Sequence, residues 1–171
     1  MGTFRKTPIH IEPKVHLNRS TIVFLTVCTY ARRRILANDT AVTFILRAWQ
    51  AAHSWKVGRF VIMPDHIHLF CAPTDDTFSL KQWVKYWKSL SSKESSSPIG
   101  SIWQKNYWDT QLRVGESYEQ KWRYVLDNPV RAGLVGDASK WKYAGAEPST
   151  LFRKYSFCYF ISIFCPARAP H

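Results

Sequence analysis

The sequence predicts an α+β protein in which one antiparallel sheet carries helices on one face. A β-branched and aromatic run, an apolar hairpin and two segments with apolar residues at helical spacing support this prediction. Their order is strand, helix, strand, strand, helix, strand, which is typical of the split βαβ, ferredoxin-like sheet. Because that topology serves many unrelated functions, the function must be argued from particular side chains.

Local signals place each element. Asn38, Asp39 and Thr40 offer N-caps for the first helix, and the Pro64-Asp65 pair predicts a tight turn between two strands. Ser117 and Gln120 match a capping box for a third helix, which Pro129 must end or kink. The predicted strands are at 21–30, 57–63, 66–72 and within 102–114, and the helices at about 41–54, 78–92 and 117–125.

Composition favours a basic, nucleic-acid-binding domain. The 171 residues include 24 Lys and Arg against 12 Asp and Glu, for a formal net charge of +12. Aromatic residues make up 15% of the chain, and several alternate with cations, which suits stacking on unpaired bases. The alternatives are a basic but merely soluble surface and aromatic rings that are simply buried.

The chain is predicted to be cytoplasmic, with no membrane partner. Its four cysteines show no paired spacing, the N-terminus lacks an apolar signal region, and the longest apolar run, at 155–165, is too short to span a bilayer.

His66 and His68 are the first candidates for chemistry. In a strand they share one face, while Ile67 and Leu69 share the other, and two imidazoles on a stiff element suit a divalent metal. The alternative is two structural histidines with satisfied hydrogen bonds.

Tyr124 and Asn128 lie four apart and therefore share a helical face. An Asn carbonyl suits Mg²⁺ or Mn²⁺, and a tyrosine beside such a metal becomes a usable nucleophile. The alternative for Tyr124 is a packed helix aromatic.

The segment MPDHIHLF at 63–70 resembles the HUH motif (His, hydrophobic, His) of single-tyrosine transposases. IWQKNYWDTQLR at 102–113, YVLDNPVRAGLV at 124–135 and WKYAG at 141–145 resemble the REP-associated tyrosine transposases. The resemblance covers about residues 15–147, which would form one transposase domain with an HUH endonuclease-like fold. The aromatic tail at 148–171 resembles nothing in that family.

The resemblance implies that His66, His68 and Asn128 bind the metal, Mg²⁺ or Mn²⁺, and that Tyr124 is the nucleophile. Such enzymes bind imperfect DNA hairpins and cut single-stranded DNA beside them through a 5′-phosphotyrosine, without ATP. Related transposases form homodimers that exchange the tyrosine helix, so a homodimer and a monomer both stay open. The rival functions are a hairpin-binding module with little cleavage and a metal-dependent phosphoesterase that uses water.

Basic side chains supply candidates for DNA contacts. Solvated loops and helix faces are the alternatives, and Asp65 is interpreted as a turn residue. The candidates are Arg32, Arg33, Arg34, Lys81, Lys85, Lys88, Arg113 and Arg131.

Overall fold

A computed structural model of the chain describes residues 21–95, 102–112 and 118–146. The predicted 148–171 tail, Ser117 and Arg113 lie outside these ranges. The strands are β1 (Val23–Cys28), β2 (Trp55–Ile62), β3 (His66–Pro73), β4 (Trp108–Gln111) and β5 (Ala144–Ala146). The α-helices are α1 (Asp39–Ala51), α2 (Leu80–Glu94), α3 (Tyr118–Leu126) and α4 (Asn128–Arg131), and short 3₁₀ turns occupy Tyr30–Arg32 and Ala138–Lys140.

The strands form one sheet in the order β4-β1-β3-β2-β5, and every neighbouring pair is antiparallel. The hairpin strand β3 lies between β1 and β2, which splits the β1-α1-β2 unit as the sequence predicts. The predicted fold class is therefore confirmed.

The fifth strand, β5, was not predicted, because Ala-Gly-Ala lacks the β-branched and aromatic residues that mark strands. It extends the sheet beyond β2, pairing Val61 with Ala144 and Phe60 with Gly145. A Cβ on Gly145 would lie 2.9 Å from Cζ of Phe60, so glycine permits this close approach.

Helices pack on both faces of the sheet. Helices α1 and α2 pack on the face that carries Leu25, Ile67 and Leu69, with the buried indoles of Trp83 and Trp87 in the same core. Helix α3 packs on the opposite face, where Tyr118 and Val125 join a second apolar cluster. The helices α1 and α2 of the split unit thus share one face of the sheet, as predicted. Helix α3 forms a further layer on the opposite face.

Helix boundaries follow the expected signals. The Asn38 side chain accepts a 2.9 Å hydrogen bond from the Ala41 amide at the start of α1. Helix α2 begins after Ser79, which forms a capping box with Gln82. This capping box was not predicted. Pro129 lies in the first turn of α4 and marks the break after α3, and Gly133, with φ of 67°, ends α4. In the described ranges no helix is long and apolar enough to cross a membrane.

Candidate active site on the sheet

The two histidines lie on the α3 face of the central strand. Their neighbours Ile67 and Leu69 point into the α1/α2 core, so the alternation of β3 turns both imidazoles the other way. The two Nε2 atoms lie 3.1 Å apart. The predicted pairing of His66 and His68 on one face is therefore what the structure shows.

Each imidazole is held through its other nitrogen. Nδ1 of His66 lies 2.7 Å from Oδ1 of Asp65, and Nδ1 of His68 lies 2.8 Å from Oγ1 of Thr26 on β1. The ring of Phe24 stacks on His68 at 5.5 Å. Because these contacts orient both rings, the two Nε2 atoms face one common point, as in metal sites whose histidines are held by outer hydrogen bonds.

The partners also decide the tautomers. The Asp65 carboxylate only accepts, so His66 donates through Nδ1 and its Nε2 carries a lone pair. His68 can donate to that lone pair through Nε2 while Nδ1 accepts from the Thr26 hydroxyl. If a cation replaces that proton, Nδ1 of His68 can donate to the same hydroxyl, since a hydroxyl both donates and accepts. Thr26 therefore serves both states without moving.

Both histidines are kept neutral, the form that binds metals. Burial lowers the pKa of His68 to about 3, and the charges of His66, Arg32, Arg131 and Lys121 act in the same direction. Burial also lowers the pKa of His66, against the opposing effect of Asp65. For Asp65, burial raises the pKa, but the hydrogen bond and charge of His66 and the charge of Arg32 leave it below its ordinary value.

Of the three consecutive arginines, Arg32 joins this site. Its Nε lies 2.8 Å from Oδ2 of Asp65, and its Nη1 donates to the sulfur of Cys28 at 2.7 Å. Arg32 adopts the left-handed conformation, with φ of 56°, an unusual backbone for a side chain of this size. Arg33 is half-buried and Arg34 exposed. Asp65 is thus more than a turn residue, because it joins His66 to Arg32.

Tyr124 lies near the end of α3 with 63% of its side chain exposed. The guanidinium of Arg131 stacks on its ring, with Cζ 4.1 Å from the centroid. Nη2 of Arg131 also donates to the Tyr124 carbonyl at 2.8 Å and to Oδ1 of Asn128 at 2.5 Å. The structure therefore brings Tyr124, Asn128 and Arg131 together, as the sequence predicts for the first two.

An ion pair holds the tyrosine helix on the histidine face. Nη1 of the buried Arg59, on β2, lies 2.8 and 2.9 Å from the two carboxylate oxygens of Glu119. The same guanidinium lies over the rings of Tyr118 and Trp122 at 5.2 and 5.4 Å. Tyr118 also packs edge-on against Phe70, two residues beyond His68 on the same face.

Sequence reasoning missed several residues of this site. Thr26 and Arg59 lie inside strand patterns that look purely structural. The pairing of β1 with β3 brings Thr26 to His68, and the packing of α3 on the sheet brings Glu119 to Arg59. Lys121 was also missed, and its Nζ lies 5.0 Å from the ring centroid of Phe24, beside His68. The available signal for Lys121 was its position three residues before Tyr124 in the predicted helix, which places the two side chains on neighbouring parts of the helix surface.

The lysines of α2 lie behind the sheet, away from the histidines. Lys81 and Lys85 are exposed on this helix, which packs on the α1/α2 face. Lys88 instead donates through Nζ to the carbonyls of Gln104 and Lys105 and fastens their loop to α2. The predicted DNA contacts of Lys81 and Lys85 therefore concern a surface separate from the histidine pair.

The donors present fit a cation only with help from amide or solvent oxygens. Among the described residues, no group of three His, Cys, Asp or Glu side chains is placed to hold a metal. The converging Nε2 atoms of His66 and His68 suit a divalent cation, and the Asn128 oxygen is the available hard donor from α4. That oxygen has two lone pairs, one of which Arg131 occupies.

The comparisons with known proteins agree with the fold and with the resemblance seen in the sequence. The family model described as "Transposase IS200 like" matches residues 19–125. A REP-associated tyrosine transposase of Escherichia coli (strain K12) is 26% identical over 93 residues, which are 53% of each chain. A relative from Haemophilus influenzae with a similar description is 25% identical over 95 residues, 48% of this chain and 54% of that protein. The chain thus spans about half the length of the curated relatives it matches.

A solved structure of a REP-associated tyrosine transposase bound to a REP hairpin shares the fold. It has a TM-score of 0.63 at 17% identity and covers 100% of this chain and 99% of that one. Fold and family model together define a transposase domain. The chain belongs to the IS200-like transposase family, and the resemblance drawn from its motifs is confirmed.

Proposed function

We propose that the protein binds DNA hairpins and cuts and rejoins the adjoining single strand through a covalent 5′-phosphotyrosine on Tyr124. His66, His68 and Asn128 would hold a divalent cation, Mg²⁺ or Mn²⁺. The observation that carries this proposal is the convergence of the two Nε2 atoms, 3.1 Å apart, on the face that α3 covers. The similarity to REP-associated transposases supports the hairpin as the partner.

The chain's own groups account for most of the reaction. Oη of Tyr124 bonds to the phosphorus and loses its proton to solvent, while the bond from phosphorus to the 3′ oxygen breaks and that oxygen takes up a proton. Attack by a 3′ hydroxyl on the phosphotyrosine reverses the exchange and rejoins strands. The bound cation would polarise the phosphodiester and stabilise the charge that develops. The exposure of Tyr124 allows a strand to reach it.

Arg131 would position the nucleophile and its neighbour. Its contacts with the Tyr124 ring, the Tyr124 carbonyl and Asn128 hold α3 and α4 in one arrangement. A guanidinium offers five N–H donors, so groups not used in these contacts suit a phosphate.

Two rival functions use the same residues differently. A hairpin-binding module needs neither the paired Nε2 atoms nor the exposed tyrosine. A phosphoesterase that activates water needs the histidines but not Tyr124. The arrangement in which one arginine joins Tyr124 to Asn128 favours the tyrosine mechanism over both.

The deciding experiment incubates the protein and Mg²⁺ or Mn²⁺ with labelled single-stranded hairpins that carry flanking linkers. Denaturing gels then separate a slow protein–DNA adduct. We expect the adduct to disappear in Tyr124→Phe and in His66→Ala, and to persist in Tyr86→Phe, a matched change of an exposed tyrosine on α2.

The other outcomes separate the rivals. Cutting that survives Tyr124→Phe without an adduct would establish the phosphoesterase. Shifted hairpins without cutting, across many sequences and both metals, would leave a binding module.

A further inference from the structure

We propose that Trp108 is a stacking platform for an unpaired base that flanks the cleaved phosphodiester. The inference rests on the proposed function, since it takes single-stranded DNA as the occupant of the histidine face. Neither the proposed metal site nor the proposed nucleophile uses Trp108.

Strand pairing places Trp108 beside the histidines. It begins β4 and pairs directly with Thr26 of β1, which in turn pairs with His68 of β3. Directly paired residues of antiparallel strands point to the same face, so Trp108 lies on the histidine face. The separation of two strand spacings puts its backbone about 10 Å from that of His68.

Among the described elements, none buries this part of the face. Helix α3 packs over the β3 and β2 side, where Phe70 and Val61 are buried. On the β1 and β4 side, Phe24 and Thr26 are half-buried and Thr110 is exposed. The Trp108 side chain is 48% exposed. We call Phe24, Thr26, Trp108 and Thr110 the β1–β4 shelf.

Charge and polarity select nucleic acid as the occupant of the β1–β4 shelf. Lys121 overhangs it at 5.0 Å from the Phe24 ring. Arg32 and Arg131 lie close enough to act electrostatically on His68 at its inner end. One exposed indole between two threonines is too small an apolar patch for a stable protein interface. A ring for a base and cations for phosphates are what single-stranded DNA requires.

The test measures binding in EDTA, so that it does not depend on cutting. The probes are a short oligothymidylate and a strand of the same length made wholly of abasic nucleotides, which keeps the phosphates and removes the bases. Trp108→Ala should bind oligothymidylate roughly five- to 100-fold more weakly and the abasic strand nearly as well as the wild type does.

Matched variants separate the effect of the Trp108 ring from those of charge and of other exposed rings. Trp108→Phe keeps a ring and should retain most of the preference for oligothymidylate. Tyr86→Ala removes an exposed ring from α2, behind the sheet, and should change neither affinity. Lys121→Ala should weaken both strands alike and reduce the salt dependence by about one phosphate contact. If Trp108→Ala does not fold, Trp108→Leu takes its place in the test, because leucine keeps an apolar contact without a ring.

Equal binding of both strands by the wild type, or an equal loss on both in Trp108→Ala, would overturn the platform. Neither result bears on the adduct at Tyr124, which is measured separately. Failure to form an adduct with intact base-dependent binding would instead overturn the proposed function and leave the platform in place.

Discussion

At the scale of single residues, the two histidines are held by unlike partners. His66 is fixed by a carboxylate that also binds Arg32, whereas His68 is fixed by a hydroxyl. A carboxylate behind an imidazole raises its basicity as a ligand, and a hydroxyl does so less. We therefore expect His66 to be the stronger ligand of the pair.

Asp65→Asn tests this expectation. The amide can still accept from Nδ1 of His66, but it loses the charge and the ion pair with Arg32, so Mn²⁺ affinity should fall by roughly 10- to 100-fold. Isothermal titration with Mn²⁺ measures the change without any reaction. Asp75→Asn, an exposed loop carboxylate, is the control. Equal affinities in wild type and Asp65→Asn would contradict the role given to Asp65.

Arg131 makes a second test at this scale. Arg131→Ala should slow adduct formation by roughly 10- to 100-fold, because the Tyr124 ring and Asn128 lose their common partner. Mn²⁺ affinity should stay the same or rise, since a nearby positive charge is removed. Arg131→Lys keeps the charge but loses the planar stack, so its rate of adduct formation should lie between those of the wild type and Arg131→Ala. Single-turnover gels and titrations report the rate and the affinity separately, and a parallel fall in both would count against a positioning role.

At the scale of elements, α3 is attached to the sheet through a buried arginine. Arg59 offers its charge to Glu119 and its face to two rings, so the attachment combines an ion pair with cation–π contacts. Loss of this attachment should loosen α3, and with it Tyr124, from the sheet that carries the histidines.

Arg59→Met should therefore lower the free energy of unfolding by about 1–3 kcal/mol. Glu119 is partly exposed and can regain water, which limits the cost. The double variant with Glu119→Gln should cost less than the sum of the single variants. Lys142→Met breaks the exposed pair with Asp39 and should change denaturant stability very little. An Arg59→Met protein as stable as the wild type would show that Arg59 does not stabilise the packing of α3 on the sheet.

The lowered pKa of Lys88, which fastens a loop to α2, predicts that the stability of the fold depends on pH. Burial lowers the pKa of Lys88 to about 8, below its ordinary 10.5. Between these values the unfolded chain binds more protons than the folded one, so stability should rise with pH. We expect Lys88 to contribute a gain of about 1–2 kcal/mol from pH 8 to pH 10, after allowing for partial exposure.

Denaturant titrations across this range check the rise, and Lys88→Met should abolish it. Two buried groups act in the opposite direction, because burial raises the pKa of the Cys71 thiol well above its ordinary value and that of Tyr118 to about 12. Both are present in the wild type and in Lys88→Met, so the difference between the two proteins isolates the effect of Lys88. A rise that persists unchanged in Lys88→Met would assign it to another group.

At the scale of the whole molecule, the sheet separates two basic surfaces. The histidine face carries Lys121 and Arg131, and the far side of α2 carries Lys81 and Lys85. With a formal net charge of +12, the protein should bind hairpins less tightly as salt rises. Under the proposed function, one surface would bind the hairpin while the other cuts the adjoining strand.

Replacing Lys81 and Lys85 together by Ala distinguishes gripping from cutting. We expect weaker hairpin binding, with the salt dependence reduced by about two phosphate contacts, and unchanged adduct formation on a single strand without a hairpin. Filter binding over a salt series measures the first, and gels measure the second. An unaltered salt slope would exclude α2 from the hairpin contact.

The sequence sufficed where a property depends on local pattern. The strand alternation put His66 and His68 on one face, and the i, i+4 spacing put Tyr124 near Asn128. It failed where the property depends on pairing between distant segments: Thr26 meets His68 only through the register of β1 with β3. β5 was not predicted because its small residues have no strand propensity of their own. Gly145 instead permits the close contact with Phe60. The tail, the homodimer and the cytoplasmic location stay predictions.

The position of β3 in the middle of the sheet has a consequence for how the ligands meet an ion. β3 is bonded on both sides, to β1 and to β2, whereas β4 and β5 are short strands at the rims. Central amides open only with the whole fold, so that of His68, which pairs with Thr26 and Val61, should be among the last to exchange with deuterium. The imidazoles thus lose their freedom when the chain folds, and little disorder remains to be lost when an ion arrives.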